Sequence, residues 1–305
     1  MKKLSFKNNH PTNYEKWLIQ NFGGKTGKDS IVKKTVELLK STGQNNLPVR
    51  LSKIASYIGI NPQPIYRNQK YWGELIMEEE ELRICLKMKT GKPPNPNWRG
   101  FRRLRFSYAH ELIHCLHYDL FKKPPVRIAP LPEKNFEEEI ICNIGARNLL
   151  LPPFLIKKVL KSLQKKDDFP FIAKQLSQIG AVSLHVAFIQ LLENNYFNKK
   201  NKIYIISNVN KGLNGLKEEK PRCIASAIYL GKKIETFLHP YQGIEHNNKN
   251  WSLVLFFKNF ENMEIMKIKN EIIKVKEKKY LITKGLHKKI TNSYVWSDLD
   301  FEVIE

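Results

Sequence analysis

Apolar positions recur at helical spacing through most of the chain up to residue 197, then give way to short strand-like runs. Tyr14–Phe22 and Ile31–Leu39 read as short amphipathic helices joined by Gly23-Gly24-Lys25-Thr26-Gly27. Leu51, Ile54, Ala55 and Ile58 share a face of a helix within 47–60, and Gly59 is a natural stop. Leu82, Ile84, Leu86 and Met88 alternate with polar residues, which predicts a half-buried strand preceded by a turn at Glu78–Glu81. Lys92-Pro93-Pro94-Asn95-Pro96-Asn97 breaks any regular element. Within 102–120, Ala109, Leu112, Ile113 and Leu116 form a helical stripe, with Ser107 as a candidate cap before it. A second strong helix is predicted over 135–151, where Ile140, Ile141, Ile144, Asn148 and Leu151 keep helical spacing until Pro152-Pro153.

Residues 154–197 read as further helices. The pair after Ile172, with a turn near Gly180 and Ser183 as N-cap, has the form of a helix-turn-helix. Beyond Asn201 the runs KIYIISNV, RCIASAIYL, KIETFLH, WSLVLFF, EIIKVK and FEVIE are rich in Ile, Val, Tyr and Phe. The expected class is therefore α+β. Residues 1–153 form a helical domain with a small sheet, 154–200 a helix-turn-helix-like segment, and 201–305 a β-rich domain.

Composition refines this picture. Of 305 residues, 42% are hydrophobic, enough for packed cores. The 52 basic and 29 acidic side chains leave a formal charge of +23, a field that attracts acidic proteins, nucleic acid or anionic membranes. The basic residues are scattered rather than gathered in one tract, so the same excess serves solubility equally well. The basic start has no apolar stretch behind it, and the most apolar short run, Trp251–Phe257, is far below the ~18–20 residues of a bilayer span. Four widely spaced cysteines suggest buried thiols in a reducing compartment. These features predict a cytoplasmic protein that does not engage a membrane.

The chemistry concentrates at His110-Glu111-Leu112-Ile113-His114, an H-E-x-x-H run inside a predicted helix. Four residues advance a helix by about 400°, so the two imidazoles stand one turn apart on one face and can share a Zn²⁺. Glu111 points to the side, where a general base for an attacking water belongs. With 8 histidines in 305 residues, such a motif arises by chance in about 2% of chains of this kind. A hydrolytic zinc site needs a third protein ligand and one open position. Glu139, 25 residues beyond His114, is the leading candidate, with Asn143 one turn later placed to hydrogen-bond a ligand. Glu138, about 100° around the helix, and His117 are the alternatives.

The runs Arg105-Phe106-Ser107-Tyr108-Ala109-His110-Glu111-Leu112-Ile113-His114 and Glu139-x-x-Cys142-Asn143-x-x-Ala146-x-x-Leu149-Leu150-x-Pro152 resemble the ImmA/IrrE family of zinc metallo-endopeptidases. The resemblance covers roughly residues 30–195 and is strongest over 102–153. It implies a zincin-like domain in which His110, His114 and Glu139 hold the metal and Glu111 is the catalytic base. The metal would be Zn²⁺, with Mn²⁺ or Fe²⁺ as alternatives. It also implies a protein substrate, namely a helix-turn-helix repressor whose cleavage releases stress or mobile-element genes, and a GAF-like sensory C-terminal domain. The chain departs from the family pattern at two places. Ile113 stands where a glycine is usual, and Gly145 and Arg147 stand where a phenylalanine and an alanine are common.

Two further expectations come from the residues. The Leu82–Met88 strand could pair with an extended substrate. The second helix of the helix-turn-helix carries Ser183, His185 and Gln190 but no arginine, which favours a structural or repressor-docking role over DNA reading. A DNA-binding regulator, or a toxin–antitoxin-type partner with a non-catalytic zinc site, is the competing function.

Overall fold

A computed structural model of the chain describes residues 11–96, 98, 100–133, 135–163, 169–194 and 196, together with strand segments between 202 and 289. The chain divides into two compact units, Met1–Val159 with Ile179–Val182, and Leu160–Gln178 with Ser183–Glu305. Mixed helices and small sheets make the fold α+β, as its patterning predicts.

The first unit opens with α1 (Asn13–Phe22) and α2 (Gly27–Ser41). Thr12 and Thr26 are the N-caps, accepting from the backbone N–H of Glu15 at 3.1 Å and of Asp29 at 3.2 Å. Gly23, at φ 69°, ends α1 in a conformation that a side chain would strain. The short linker is pinned where Glu15 Oε1 accepts from Gly27 N at 2.9 Å. Then come α3 (Leu51–Tyr57) and a sheet of β1 (Ile65–Arg67), β2 (Gly73–Glu78) and β3 (Glu81–Lys87).

The sheet order is β1-β3-β2, with β3 parallel to β1 and antiparallel to β2. This corrects one expectation. The strand containing Leu82–Leu86 is hydrogen-bonded on both sides, so it cannot receive a substrate strand; β1 and β2 are the edges. The alternation flagged β3 because Leu82, Ile84 and Leu86 are buried. The pattern gave no separate sign of β2 or β1.

The motif helix α4 (Phe101–Cys115) packs against α5 (Asn135–Leu150) and the sheet. It begins six residues before Ser107, which lies inside it and caps nothing; the N-cap is Gly100, without a side-chain bond. A two-stranded ribbon of β4 (Tyr118–Asp119) and β5 (Val126–Arg127) connects α4 to α5. Of the predicted α5 stripe, Ile141, Ile144 and Asn148 are buried, whereas Ile140 faces outward. The helix α6 (Pro153–Ser162) follows Pro152. Among the described residues, the apolar run 136–162 formed by α5 and α6 has the length and hydropathy of a membrane span, but 67% of its most apolar window is buried inside the fold.

Ile113 and Gly145 meet in space. A Cβ added to Gly145 would lie 2.8, 2.9 and 3.0 Å from Cγ1, Cδ1 and Cγ2 of Ile113. The isoleucine fills the room that the glycine leaves, so α4 and α5 approach closely with the larger side chain on the opposite helix. Both helices carry candidate ligands.

In the second unit, α7 (Phe169–Ile179) and α8 (Leu184–Glu193) are bent by 118° about a short turn, the range of a helix-turn-helix. Ser183 caps α8, accepting from Val186 N at 3.2 Å. The strands β6 (Lys202–Lys211), β7 (Glu219–Leu230), β8 (Lys233–Glu235), β11 (Met263–Val275) and β12 (Lys278–Lys289) form an antiparallel sheet of order β11-β12-β6-β7-β8. Asn250–Ser252 is a short strand, β10, paired with β9 (Glu245–Asn247). The predicted runs at 253–257 and 301–305 lie outside the described residues.

The packing of Ile113 on Gly145 predicts a measurable coupling. Gly145→Ala should cost about 1–3 kcal/mol by overpacking, and Ile113→Ala about 2–5 kcal/mol by truncation. Their combination should cost less than the sum by at least about 1 kcal/mol, because the truncation frees the space the new methyl needs. Denaturant unfolding of the four proteins checks it; strict additivity would show that the two residues do not share this space.

Candidate metal centre

On α4, the H-E-x-x-H spacing stacks His110 and His114 with ring centroids 4.7 Å apart. Their Nε2 atoms are 3.0 Å apart. Across from them, Glu139 near the start of α5 places Oε2 3.2 Å from His110 Nε2 and Oε1 3.2 Å from His114 Nε2. Two imidazole nitrogens and one carboxylate thus converge, and their donor atoms could hold a metal ion.

The remaining ring nitrogens explain why these two atoms face each other. His110 Nδ1 lies 3.2 Å from Asn143 Oδ1, and His114 Nδ1 lies 2.9 Å from Glu138 Oε1. Both oxygens only accept, so each Nδ1 carries a proton and each Nε2 turns toward its neighbour. Two such nitrogens and a carboxylate at this separation could share one cation. In a tetrahedral site with metal–ligand bonds of ~2.0–2.1 Å, donors lie about 3.4 Å apart. The observed separations, 3.0 Å between the two nitrogens and 3.2 Å from each nitrogen to one of the two Glu139 oxygens, are close to that spacing. The donor set fits zinc.

Glu138 and Glu139 are neighbours in sequence with different surroundings. The Glu139 side chain is 56% exposed, while that of Glu138 is 11% exposed. Glu138 accepts from Arg127 Nη2 at 2.6 Å and Nη1 at 3.3 Å, from His114 at 2.9 Å, and lies 3.3 Å from His117 Nδ1. Tyr14 OH then meets His117 Nε2 at 2.9 Å, so a polar chain runs from α1 through the buried His117 to His114. Glu138, His117, Cys142 and His114 form a second group with donor atoms close together, and the first three are buried. Two of the four, Glu138 and His117, are already engaged with Arg127 and Tyr14, and their natural part is to orient His114 from behind.

Electrostatics follows the same division. Burial would raise the Glu138 pKa, but hydrogen bonds from His114, His117 and Arg127 outweigh it and hold the carboxyl far below the usual range. Hydrogen bonds from His110 and His114 likewise hold Glu139 well down. Burial opposes charge on His114, yet hydrogen bonds with Cys142, Glu138 and Glu139 prevail and push its pKa up to about 12. Burial keeps His117 neutral by lowering its pKa. Glu111, only 7% exposed, is raised by burial against the pull of the two imidazoles.

A cleft of about 810 Å³ opens over this group, walled by Tyr71–Leu75, Arg103, Phe106, Ser107, Tyr118 and Asn143. The start of β2 forms one rim, and its closest approach is at Gly73. A Cβ there would lie 2.9 Å from Glu111 Oε1 and 3.2 Å from Ser107 Cβ. Gly73, Arg127 and Tyr14 carry no local motif; the glycine before an apolar run was the one available sign.

No family model matches the sequence, and no curated protein is found to be similar to it. Among solved structures, a Mycobacterium tuberculosis transcriptional regulator is similar at a TM-score of 0.41 and 10% identity, over 90% of this chain and 81% of that one. A likeness this distant carries no argument about function.

Two measurements test the centre. The purified chain should carry about one transition-metal ion, and His110→Ala, His114→Ala or Glu139→Ala should lose it, while Glu138→Gln should weaken metal affinity by about 10–100-fold. Elemental analysis and chelator competition read both. In addition, the neighbours that raise the His114 pKa favour its protonated form, which a metal must displace, so affinity should rise with pH as about one proton leaves per ion. Calorimetry in buffers of different ionisation enthalpy counts the proton.

Proposed function

We propose that the chain is a zinc-dependent endopeptidase of the ImmA/IrrE kind, acting on a helix-turn-helix repressor. The observation that carries the reading is a three-donor set, His110, His114 and Glu139, at the floor of a cleft with the carboxylate of Glu111 beside it. Structural zinc sites are closed by four protein ligands, whereas catalytic ones keep three and an open side. A bound zinc supplies Lewis acidity, polarising a carbonyl and easing deprotonation of water.

The residues of the chain supply the remainder. Glu111 takes the proton of the attacking water and returns it to the leaving amine, and burial, by raising its pKa, suits it to both steps. Glu138 and Asn143 fix the two imidazoles so that neither turns during the reaction. The edge of β2 from Gly73 to Leu75 is open for an extended peptide, which would lie along the cleft with its backbone paired to the strand. The free, buried thiols Cys85, Cys115 and Cys142 suit a cytoplasmic setting. We assign 201–305 a sensory role of the GAF-like kind on the resemblance alone.

A second reading, a DNA-binding regulator with a non-catalytic metal site, is favoured by one observation, the 118° helix pair α7–α8. Duplex binding with a steep salt dependence that survives metal removal would support it.

Incubating the metal-loaded chain with a purified helix-turn-helix repressor should give discrete fragments by mass spectrometry. Glu111→Gln should slow cleavage by about 10²–10⁴-fold while retaining the metal. Equal cleavage by both proteins, or none by the loaded wild type across candidate repressors, would overturn the protease reading.

A further inference from the structure

The motif helix has two working faces. His110, Glu111, His114 and Ser107 line the cleft described above, while Phe101, Leu104, Arg105 and Tyr108 line a separate cavity. At about 100° per residue the centres of these stripes lie about 120° apart around the helix. The second cavity measures about 680 Å³ and lies between α4, the segment Gly43–Lys53, and residues of the Pro62–Tyr66 stretch. That volume is within the ~300–1,000 Å³ usual for small-molecule sites.

Its charge is one-sided. Arg105, Arg50 and Lys53 border it, and no aspartate or glutamate does. Arg105 donates through Nη2 to the carbonyl of Val49, but its Nε is buried with no acceptor. No carboxylate pairs with it among the described residues. Burial lowers its pKa to about 10, as expected of a guanidinium withdrawn from water without a counter-ion. A buried cation left in that state is costly, and a guanidinium is shaped to take two oxygens of one anion. Gln44, Asn45, Asn46 and Ser52 add polar groups to the wall, while Leu47, Pro48, Leu51 and Phe101 supply an apolar part that suits a hydrocarbon or aromatic body.

We propose that this cavity binds a small organic anion, its carboxylate or phosphate held by Arg105 and its apolar body seated against the leucine and proline wall. The rim cations Arg50 and Lys53 add long-range attraction. The site does not use the metal centre, so it stands or falls independently of the peptidase reading.

The test is calorimetric titration of the full-length chain with benzoate, phenyl phosphate, inorganic phosphate and benzyl alcohol. Benzoate or phenyl phosphate should bind saturably at one site, the better of the two identifying the headgroup, and the neutral alcohol should not bind. Arg105→Lys keeps the charge but loses the fork and should weaken binding by at least about tenfold. Arg50 is exposed, so Arg50→Glu leaves the fold intact and should weaken it by about threefold through repulsion. Unchanged affinity in both variants, equal binding of benzyl alcohol, or no binding by either organic anion would overturn the proposal. Binding of inorganic phosphate alone would overturn the organic-body part of it.

Discussion

One buried carboxylate holds the candidate centre together. Glu138 joins α5 to α4 through His114, to the β4–β5 ribbon through Arg127, and to α1 through His117 and Tyr14. A carboxylate this far out of water survives ionised only because three donors surround it, and removing a partner from such a group typically costs about 3–5 kcal/mol. The arrangement sets the tautomer of His114, and the tautomer sets which nitrogen faces Glu139. The geometry at the centre is thus inherited from contacts that span residues 14 to 138.

The same dependence explains how two adjacent glutamates differ in role. Glu138 and Glu139 sit on successive positions of one helical turn, one turned into the protein and the other toward the cleft. A helix rotates by about 100° per residue, so one residue is enough to separate a positioning group from a metal donor. The close packing of α4 on α5 makes this separation reliable. With Gly145 opposite Ile113, a small rotation of either helix would drive the isoleucine into backbone.

Much of this was legible in the sequence, and the limits of legibility have a physical basis. The helices α1, α2, α4 and α5 announce themselves because each buries one face, and His110, Glu111 and His114 are read directly from an i, i+4 spacing. The choice between Glu138 and Glu139 depends on the rotation of α5 about its own axis, which pairing with Arg127 and His117 fixes; neither partner is local to it. Ser107 reads as a cap only if the helix starts late, whereas the helix starts at Phe101, which with Leu104 lines the second cavity. The strand β2 was hidden because Gly73–Glu78 has no buried alternation; its residues are mostly half-exposed and are held in place by β3. The central place of β3 in the sheet depends on β1, a three-residue strand too short to leave a pattern.

The position of β2 matters more than its length. An edge strand offers backbone donors and acceptors to any extended chain, and proteins usually blunt such edges. Here the edge begins where the chain passes over Glu111 at a distance that leaves no room for a Cβ. A side chain at residue 73 would lift the strand from α4 or displace the carboxylate. With glycine, the strand edge and the buried acid become neighbours. An extended peptide paired to β2 would then pass over the one group near the metal donors that is suited to move a proton. In the peptidase reading proposed above, the glycine would link the register of a bound chain to the acid below it, which neither the sheet nor the motif helix achieves alone.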